Sequence, residues 1–534
     1  MSSPAQPKAH AKSAEESIRA PEIQRSDSVR SVELDGHNEN DENTSISPKS
    51  DEYKPPHTVL TVNEKYVLVL IASSVSIWSA MGSPIYYPAL GTIEKQFDIS
   101  EEMVNISVVV YFLCQGTFPT ISAGLADIYG RRPVILASLV VFIGASIGVA
   151  VTRSYTVLLI LRCIQSAGIS PTVAVGSGVV GDFTERHERG SFMGIQGGLT
   201  LLGQAFGPLI GAGLIAGFDW RAIFWFLAIG GGFSLCITSL ILPETKRTIV
   251  GNGSVKPRVA INVAPILLLP YYKKKWKLDD PDYGTVPAGE KPDLLAPLKI
   301  LVKPEVIICL MNGAIHFACW TVSLTCLTTQ LAKTYGYSVM TIGLCYLPVG
   351  MGGLIGSVVS GKLLDLSYRK LHKIHLNNIE KGTIPANTPF NVIRSRIVVV
   401  FPFVLLGDGF CLIYGWCLYK HVHIAVICVT SFFLSLGCLS VVNSNMTLMV
   451  DLYPSQSSAA ASCVNLTRCL ISALFVGVLT YMNKAMTVGG TLTFLPMTGV
   501  LFAISLIIPM KYANKWREAR ELKAAAKADS KADK

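Results

Sequence analysis

The chain has 534 residues, 50% hydrophobic and only 15% charged, with a formal net charge of +10 and a mean hydropathy of +0.44. Soluble domains carry about 25% charged residues, so this composition excludes disorder over most of the length and leaves a water-soluble fold without enough interior for its apolar surface. The basic excess sits mostly in loops and tails, as in cytosolic loops of membrane proteins, and argues against a nucleic-acid partner.

Residues 1–57 are rich in Ser, Glu, Asp, Lys and Pro and hold no apolar core. They read as a disordered cytosolic tail without a signal peptide. A spanning helix needs about 20 apolar residues, and twelve windows meet that requirement. In the first half, 58–242, they begin near Tyr66, Val104, Pro133, Tyr155, Gly190 and Trp220. In the second half, 304–511, they begin near Glu305, Ser338, Arg396, Val422, Ser457 and Val488. The expected fold is therefore an all-α membrane protein of twelve transmembrane helices in two six-helix bundles.

A central loop, 243–303, joins the halves, and a basic cytosolic tail, 512–534, ends the chain. Within the loop, Ile261 to Tyr272 is apolar, is too short to span, and is followed by Lys273, Lys274, Lys275, Trp276 and Lys277. It either lies on the inner leaflet or packs on the protein. With both termini in the cytosol, the inner loops collect Arg131, Arg132, Arg186, Arg189, Lys362, Arg369, Lys370, Lys373, Lys381 and Arg394, while the outer loops hold about one basic residue each. The 13 cysteines form no CxxC pair and read as small apolar residues.

The loop after the second span reads Ala123-Gly-Leu-Ala-Asp127-Ile-Tyr-Gly130-Arg131-Arg132-Pro133. Small residues let helices approach, Asp127 suits the N–H groups of a neighbouring helix start, Gly130 allows a tight turn, and Pro133 opens a helix. Such a cluster latches one conformational state. Gly361-Lys-Leu363-Leu-Asp365, with Arg369 four residues on, repeats it in the second half, as transporter repeats do.

This loop resembles the signature of the major facilitator superfamily, with Ala123 where a Gly is usual. Two further segments agree. Leu161-Arg162-Cys-Ile-Gln165-Ser-Ala-Gly168 resembles the family's R-x-x-Q-G stretch, and Gly203-Gln-Ala-Phe-Gly207-Pro208-Leu-Ile-Gly211-Ala212 resembles the antiporter motif, with Ala at its last position. Leu242-Pro243-Glu244-Thr-Lys-Arg247, Ser83-Pro84-Ile-Tyr86-Tyr87-Pro88 and Asn465-Leu-Thr-Arg468 narrow the resemblance to the fungal twelve-span drug:proton antiporters of the quinidine-resistance branch. It covers about residues 60 to 512.

Charges inside a membrane mark function by default. Arg162, His316, Asp408 and Arg468 lie well inside spans and are the candidates for proton coupling; the resemblance places Arg162 in the coupling motif. Arg468 is also a possible structural partner of Asp408. The first span has no acid, unlike many relatives, so the proton carrier stays unassigned. By the same resemblance the substrate cavity is lined from the first, fourth, seventh and tenth spans, with Trp78, Tyr86, Gln165, Asn312, His316, Trp320, Ser435, Asn443 and Asn445 as candidates. Asp182 is expected to pair with Arg131 or to cap a helix.

The resemblance implies a proton-coupled exporter of small organic molecules in the fungal plasma membrane, working by alternating access as a monomer. Its partners would be protons, a small-molecule substrate and lipid. No enzyme activity, cofactor or metal is expected. A proton-linked nutrient uptake carrier and a non-transporting membrane sensor are the alternatives.

Overall fold

The computed structural model describes residues 58–185, 188–276, 278, 283–286, 296–383, 385, 390–453 and 457–532. The 1–57 tail, Arg186, Lys277 and the side chain of Arg189 lie outside them. Among the described residues there is no strand.

Among the described residues, eleven helices are long and apolar enough to cross a membrane. They are α1 (Val62–Phe97), α2 (Glu101–Tyr129), α3 (Arg131–Val151), α4 (Tyr155–Phe183), α5 (Arg189–Gly217), α6 (Arg221–Ile241), α7 (Pro304–Lys333), α8 (Val339–Glu380), α9 (Val392–Tyr419), α10 (Ile424–Leu452) and a last stretch, Ala459–Ser505. That stretch has 47 residues, which at 1.5 Å each is about 70 Å, twice a bilayer. It breaks at Thr487, where φ is 67° and ψ 168°. The break divides it into α11 (457–486) and α12 (488–505), giving twelve spans. A final helix, α13 (Ile507–Ala532), follows. The observed starts fall within about four residues of those expected from hydropathy.

Prolines interrupt the N–H ladder of α2 (Pro119), α5 (Pro208), α8 (Pro348) and α9 (Pro402). In α1 the helix yields at Gly82 to a 3-10 turn, Pro84–Ala89. Ser100, Ser338 and Asn391 cap α2, α8 and α9 through their side-chain oxygens. Helix α7 differs from the rest: every residue from Asn312 to Thr328 is buried. A helix buried on all sides is a core element.

Two seams join the halves. Helix α2 packs on α11, where Asn465 Nδ2 donates to the Gln115 carbonyl (2.5 Å) and Asn105 Nδ2 to Thr480 Oγ1 (3.2 Å). Helix α5 packs on α8, with Gly350 against the Ala205 backbone. Ion pairs between the halves, among the described residues, sit at the end away from the chain termini: Lys333 Nζ with Glu94 (3.1 Å) and Glu101 (2.7 Å), and Lys484 Nζ with Glu102 (2.5 Å).

The apolar stretch of the central loop packs on the first half. Ala264, Leu267 and Trp276 are buried with Val59 and Leu60 against them, and Lys275 Nζ holds Glu64 at 2.9 Å. Leu268, Leu269 and Tyr271 of the same stretch stay exposed.

Candidate functional site

The first cluster lies where α2, α3, α4 and α6 end, on the side of the termini. Gly130 has φ 104°, and a Cβ there would stand 2.3 Å from Glu244 Oε2, so only glycine fits this turn. The turn aims the start of α3 at Glu244. Its carboxylate accepts from the N–H groups of Arg131 (2.9 Å), Arg132 (3.1 Å), Thr245 (3.0 Å) and Lys246 (2.9 Å). A carboxylate on a helix N-terminus satisfies orphan donors and the helix dipole together.

Arg132 does the converse job at the far end of α6. Its guanidinium donates to the carbonyls of Thr238 (3.1 Å), Ser239 (2.5 Å), Leu242 and Ile261 (2.8 Å). Arg131 is buried between two acids, Asp127 at 3.0 Å and Asp182 at 3.2 Å. Asp127 also pairs with Lys246. Of the two roles open to Asp182, pairing with Arg131 is the one observed. Asp127 is held by side chains; the helix start is capped by Glu244, a role the sequence suggested for Asp127.

The second half builds the same device with one difference. Asp365 lies 3.4 Å from Arg396 Nη1, and Arg396 Nη2 lies 2.8 Å from Asp451. The arginine between two acids is thus Arg396, in the first turns of α9, whereas the spacing had pointed to Arg369. Helix α8 carries Arg369 onward past Asp365 on a continuous helix to Glu380, so four residues downstream is another helical turn and not a loop.

The second cluster fills the middle of the first half. Arg162 is fully buried, with its guanidinium 4.3 Å from the Tyr86 ring centre and 4.2 Å from that of Tyr111. Nη1 donates to Gln165 Oε1 (2.9 Å) and the Gly82 carbonyl (3.3 Å), while Nε and Nη2 have no partner. Gln165 Nε2 donates to Ser146 Oγ at 2.8 Å, and Tyr86 Oη bonds Ser107 Oγ at 2.9 Å. Among the described residues no acid pairs with Arg162. Two rings over one guanidinium partly replace a counter-ion.

The third cluster centres on α7. His316 Nδ1 lies 2.7 Å from the Asn312 carbonyl and Nε2 lies 3.4 Å from Asp408 Oδ1 of α9. Trp320 donates to Ser435 Oγ of α10 at 3.1 Å and stacks on Phe317, with ring centres 5.6 Å apart. Arg468 bonds Asn465 Oδ1 (3.1 and 2.8 Å) and lies 5.0 Å above the Phe317 ring. Asp408 therefore pairs with His316, and the alternative pairing with Arg468 is not formed.

Of the expected cavity residues, Tyr86 and Gln165 gather round Arg162, and Asn312, His316 and Trp320 share α7. Asn445 touches the same helix at Gly313. Trp78 turns to α6, donating to Ser234 Oγ at 2.8 Å, and Asn443 reaches the Ser357 carbonyl of α8 at 3.5 Å. The motif glycines of α5 line one face: a Cβ on Gly203 would meet the Ile77 carbonyl at 2.5 Å, one on Gly211 the Ile85 carbonyl at 2.3 Å, and Gly207 faces Met81. The opposite face, with Ala205, the Pro208 carbonyl and Ala212, meets α8. Helix α5 is thus a thin plate between α1 and the other half.

Sequence reasoning missed Glu244, Lys246 and Arg396 as parts of the end clusters. The available signal was position: Arg131 is the first residue of its span, so its repeat partner belongs at the start of the ninth.

Comparison with known proteins agrees with this architecture. Residues 71–476 match the Major Facilitator Superfamily. "Probable transporter AQR1" of Saccharomyces cerevisiae is 48% identical over 493 residues, covering 92% of this chain and 84% of that protein. "MFS antiporter QDR2" of Candida albicans is 42% identical over 469 residues, covering 88% and 92%. "Quinidine resistance protein 1" of Saccharomyces cerevisiae is 42% identical over 459 residues, covering 82% of each. The crystal structure of a D-xylose-proton symporter superposes with a TM-score of 0.56 over 84% of this chain and 97% of that one at 14% identity, a likeness of fold. The chain belongs to the major facilitator superfamily, in the branch that holds the fungal multidrug and quinidine-resistance transporters.

Proposed function

We propose that this protein exports small organic molecules, such as quinidine-like drugs or polyamines, in exchange for protons across the fungal plasma membrane. Kinship carries this reading: proteins named as a multidrug transporter and an antiporter match 88–89% of the chain at 42–47% identity. Both termini would face the cytosol, because Arg131, Arg132 and the basic run of the α8 end lie on that side. The 58–242 and 304–511 halves would rock about a site between α1, α4, α7 and α10. Aromatic and amide groups there (Tyr86, Gln165, Asn312, Trp320, Asn445) suit amphipathic cations and neutral drugs.

The end clusters would act as latches: Asp127, Gly130, Arg131 and Arg132 in one half, Asp365 and Arg396 in the other. With the inter-half ion pairs at the far end, this structure suits a state closed on the outside. Separating the halves there breaks the Lys333 and Lys484 pairs, while the latches lie within single halves. The thin α5 plate would let the α1 and α8 sides slide without side chains interlocking.

Efflux from cells preloaded with quinidine or labelled spermidine tests the proposal. Expression should speed the loss of at least one compound, and a proton uncoupler should abolish the gain. Uncoupler-resistant export, or net uptake, would refute it.

A further inference from the structure

Arg162, His316, Asp408 and Arg468 lie deep in the spans. Guanidinium groups keep their protons at every physiological pH. Of these four, His316 and Asp408 are the two whose side chains can take up or give up a proton, and the fold sets them face to face. His316 is wholly buried and Asp408 is 6% exposed. Neither carboxylate oxygen has a hydrogen bond, nor has His316 Nε2.

Among the described residues, no ion pair joins either group to a further charge. Helix α7 adds Cys319, α9 adds Cys411 and α10 adds Cys438, thiols that ordinarily titrate above both. Helix α12 packs Gly499 against the pair, where a Cβ would stand 3.1 Å from each Asp408 oxygen and 3.3 Å from the His316 ring. Arg468 of α11 is engaged by Asn465 and the Phe317 ring.

The hydrogen-bond geometry fixes how many protons this pair trades. A carbonyl only accepts, so Nδ1 keeps its hydrogen on the Asn312 carbonyl. One exchangeable proton remains, carried either by Nε2 or by the facing carboxylate, whose Oδ1 lies 3.4 Å away. With it the pair is neutral overall, as imidazole and carboxylic acid or as imidazolium and carboxylate. Without it a bare carboxylate faces an imidazole lone pair in an apolar bundle, an arrangement that demands water. The close, buried packing of the pair suits the loaded form. Losing the proton would favour a parting of α7 from α9 and α12.

Helix α7 links this pair to the seam between the halves. Phe317, next to His316, lies under Arg468 and meets Phe112 of α2 edge-on, with ring centres 6.2 Å apart. Trp320, one turn on, is tied to α10. Building on the antiport reading, we propose that the His316–Asp408 pair carries the exchanged proton and that α7 transmits its state to the seam, so that proton and drug never compete for one cavity.

The test uses the purified full chain in liposomes and two assays. Quinidine counterflow at equal pH needs substrate exchange alone; accumulation driven by a pH gradient needs coupling as well. Asp408→Asn should keep counterflow within about threefold and lose driven accumulation by about tenfold or more, while Asp408→Glu keeps both. His316→Gln should also lose driven accumulation, and it decides the matter if Asp408→Asn does not fold. Driven accumulation at the unmodified level in both variants would overturn the proposal. So would equal loss of both activities from folded protein. Counterflow without any driven accumulation in the unmodified chain would overturn the antiport reading itself.

Discussion

Arg131 and Arg396 each occupy the start of a span, and each is held between two carboxylates. This recurrence gives the end clusters their physical meaning. A buried arginine with two acids from different helices binds those helices together only while both acids stay in reach, and removing either partner leaves a charge exposed to a poor environment. Arg396→Ala should therefore lower efflux by about tenfold, whereas Arg369→Ala should leave it within about twofold, a contrast read directly from transport rates. Asp127→Asn should likewise cut transport while the protein still reaches the cell surface. Glu244 acts on stability. Its replacement by Ala would strand the four N–H groups it now accepts from, and should lower unfolding stability by roughly 1–3 kcal/mol, seen as a lower thermal midpoint in detergent.

At the scale of elements, helix α5 shows most clearly what glycine spacing does. Gly203, Gly207 and Gly211 recur every four residues and so share one face. That face lies on the α1 backbone at distances that leave no room for a side chain. Gly211→Ala should slow transport or destabilise the fold by about 1–3 kcal/mol through overpacking. Gly213→Ala, two residues on, meets nothing within 4 Å and should behave as the unmodified protein. The spans and the motif loop were legible in the sequence because hydropathy and spacing are local signals, and the α5 glycines stood out through their resemblance to the antiporter motif. The end clusters were only half legible. The distance from Asp127 to Arg131 is a property of one turn, but in the second half α8 runs on as helix to Glu380, and the partner arginine arrives with the next span. The His316–Asp408 pair was not legible as a pair, since nothing local ties residues on α7 and α9 together.

For the whole molecule, the arrangement of charge describes one state of a two-state device. The Lys333 and Lys484 pairs clamp the end away from the termini, and each is partly exposed. A partly exposed, solvent-screened pair such as Lys333 with Glu101 contributes about 0–1 kcal/mol, enough to bias a balanced equilibrium severalfold but not to lock it. Replacing both lysines with Ala should lengthen spin-label distances between Lys95 and Ala485 positions in a larger fraction of molecules. Unchanged distance distributions would mean that helix packing alone holds this end shut.

In the proposed antiport, export is powered by protons moving the other way. Purified protein in liposomes, loaded with quinidine and given a pH gradient of either sign, tests it most directly. Reversing the gradient should reverse net quinidine flux, with protons counted moving oppositely by an entrapped pH dye. Quinidine flux of the same size and direction under both gradients, with no linked proton movement, would contradict it.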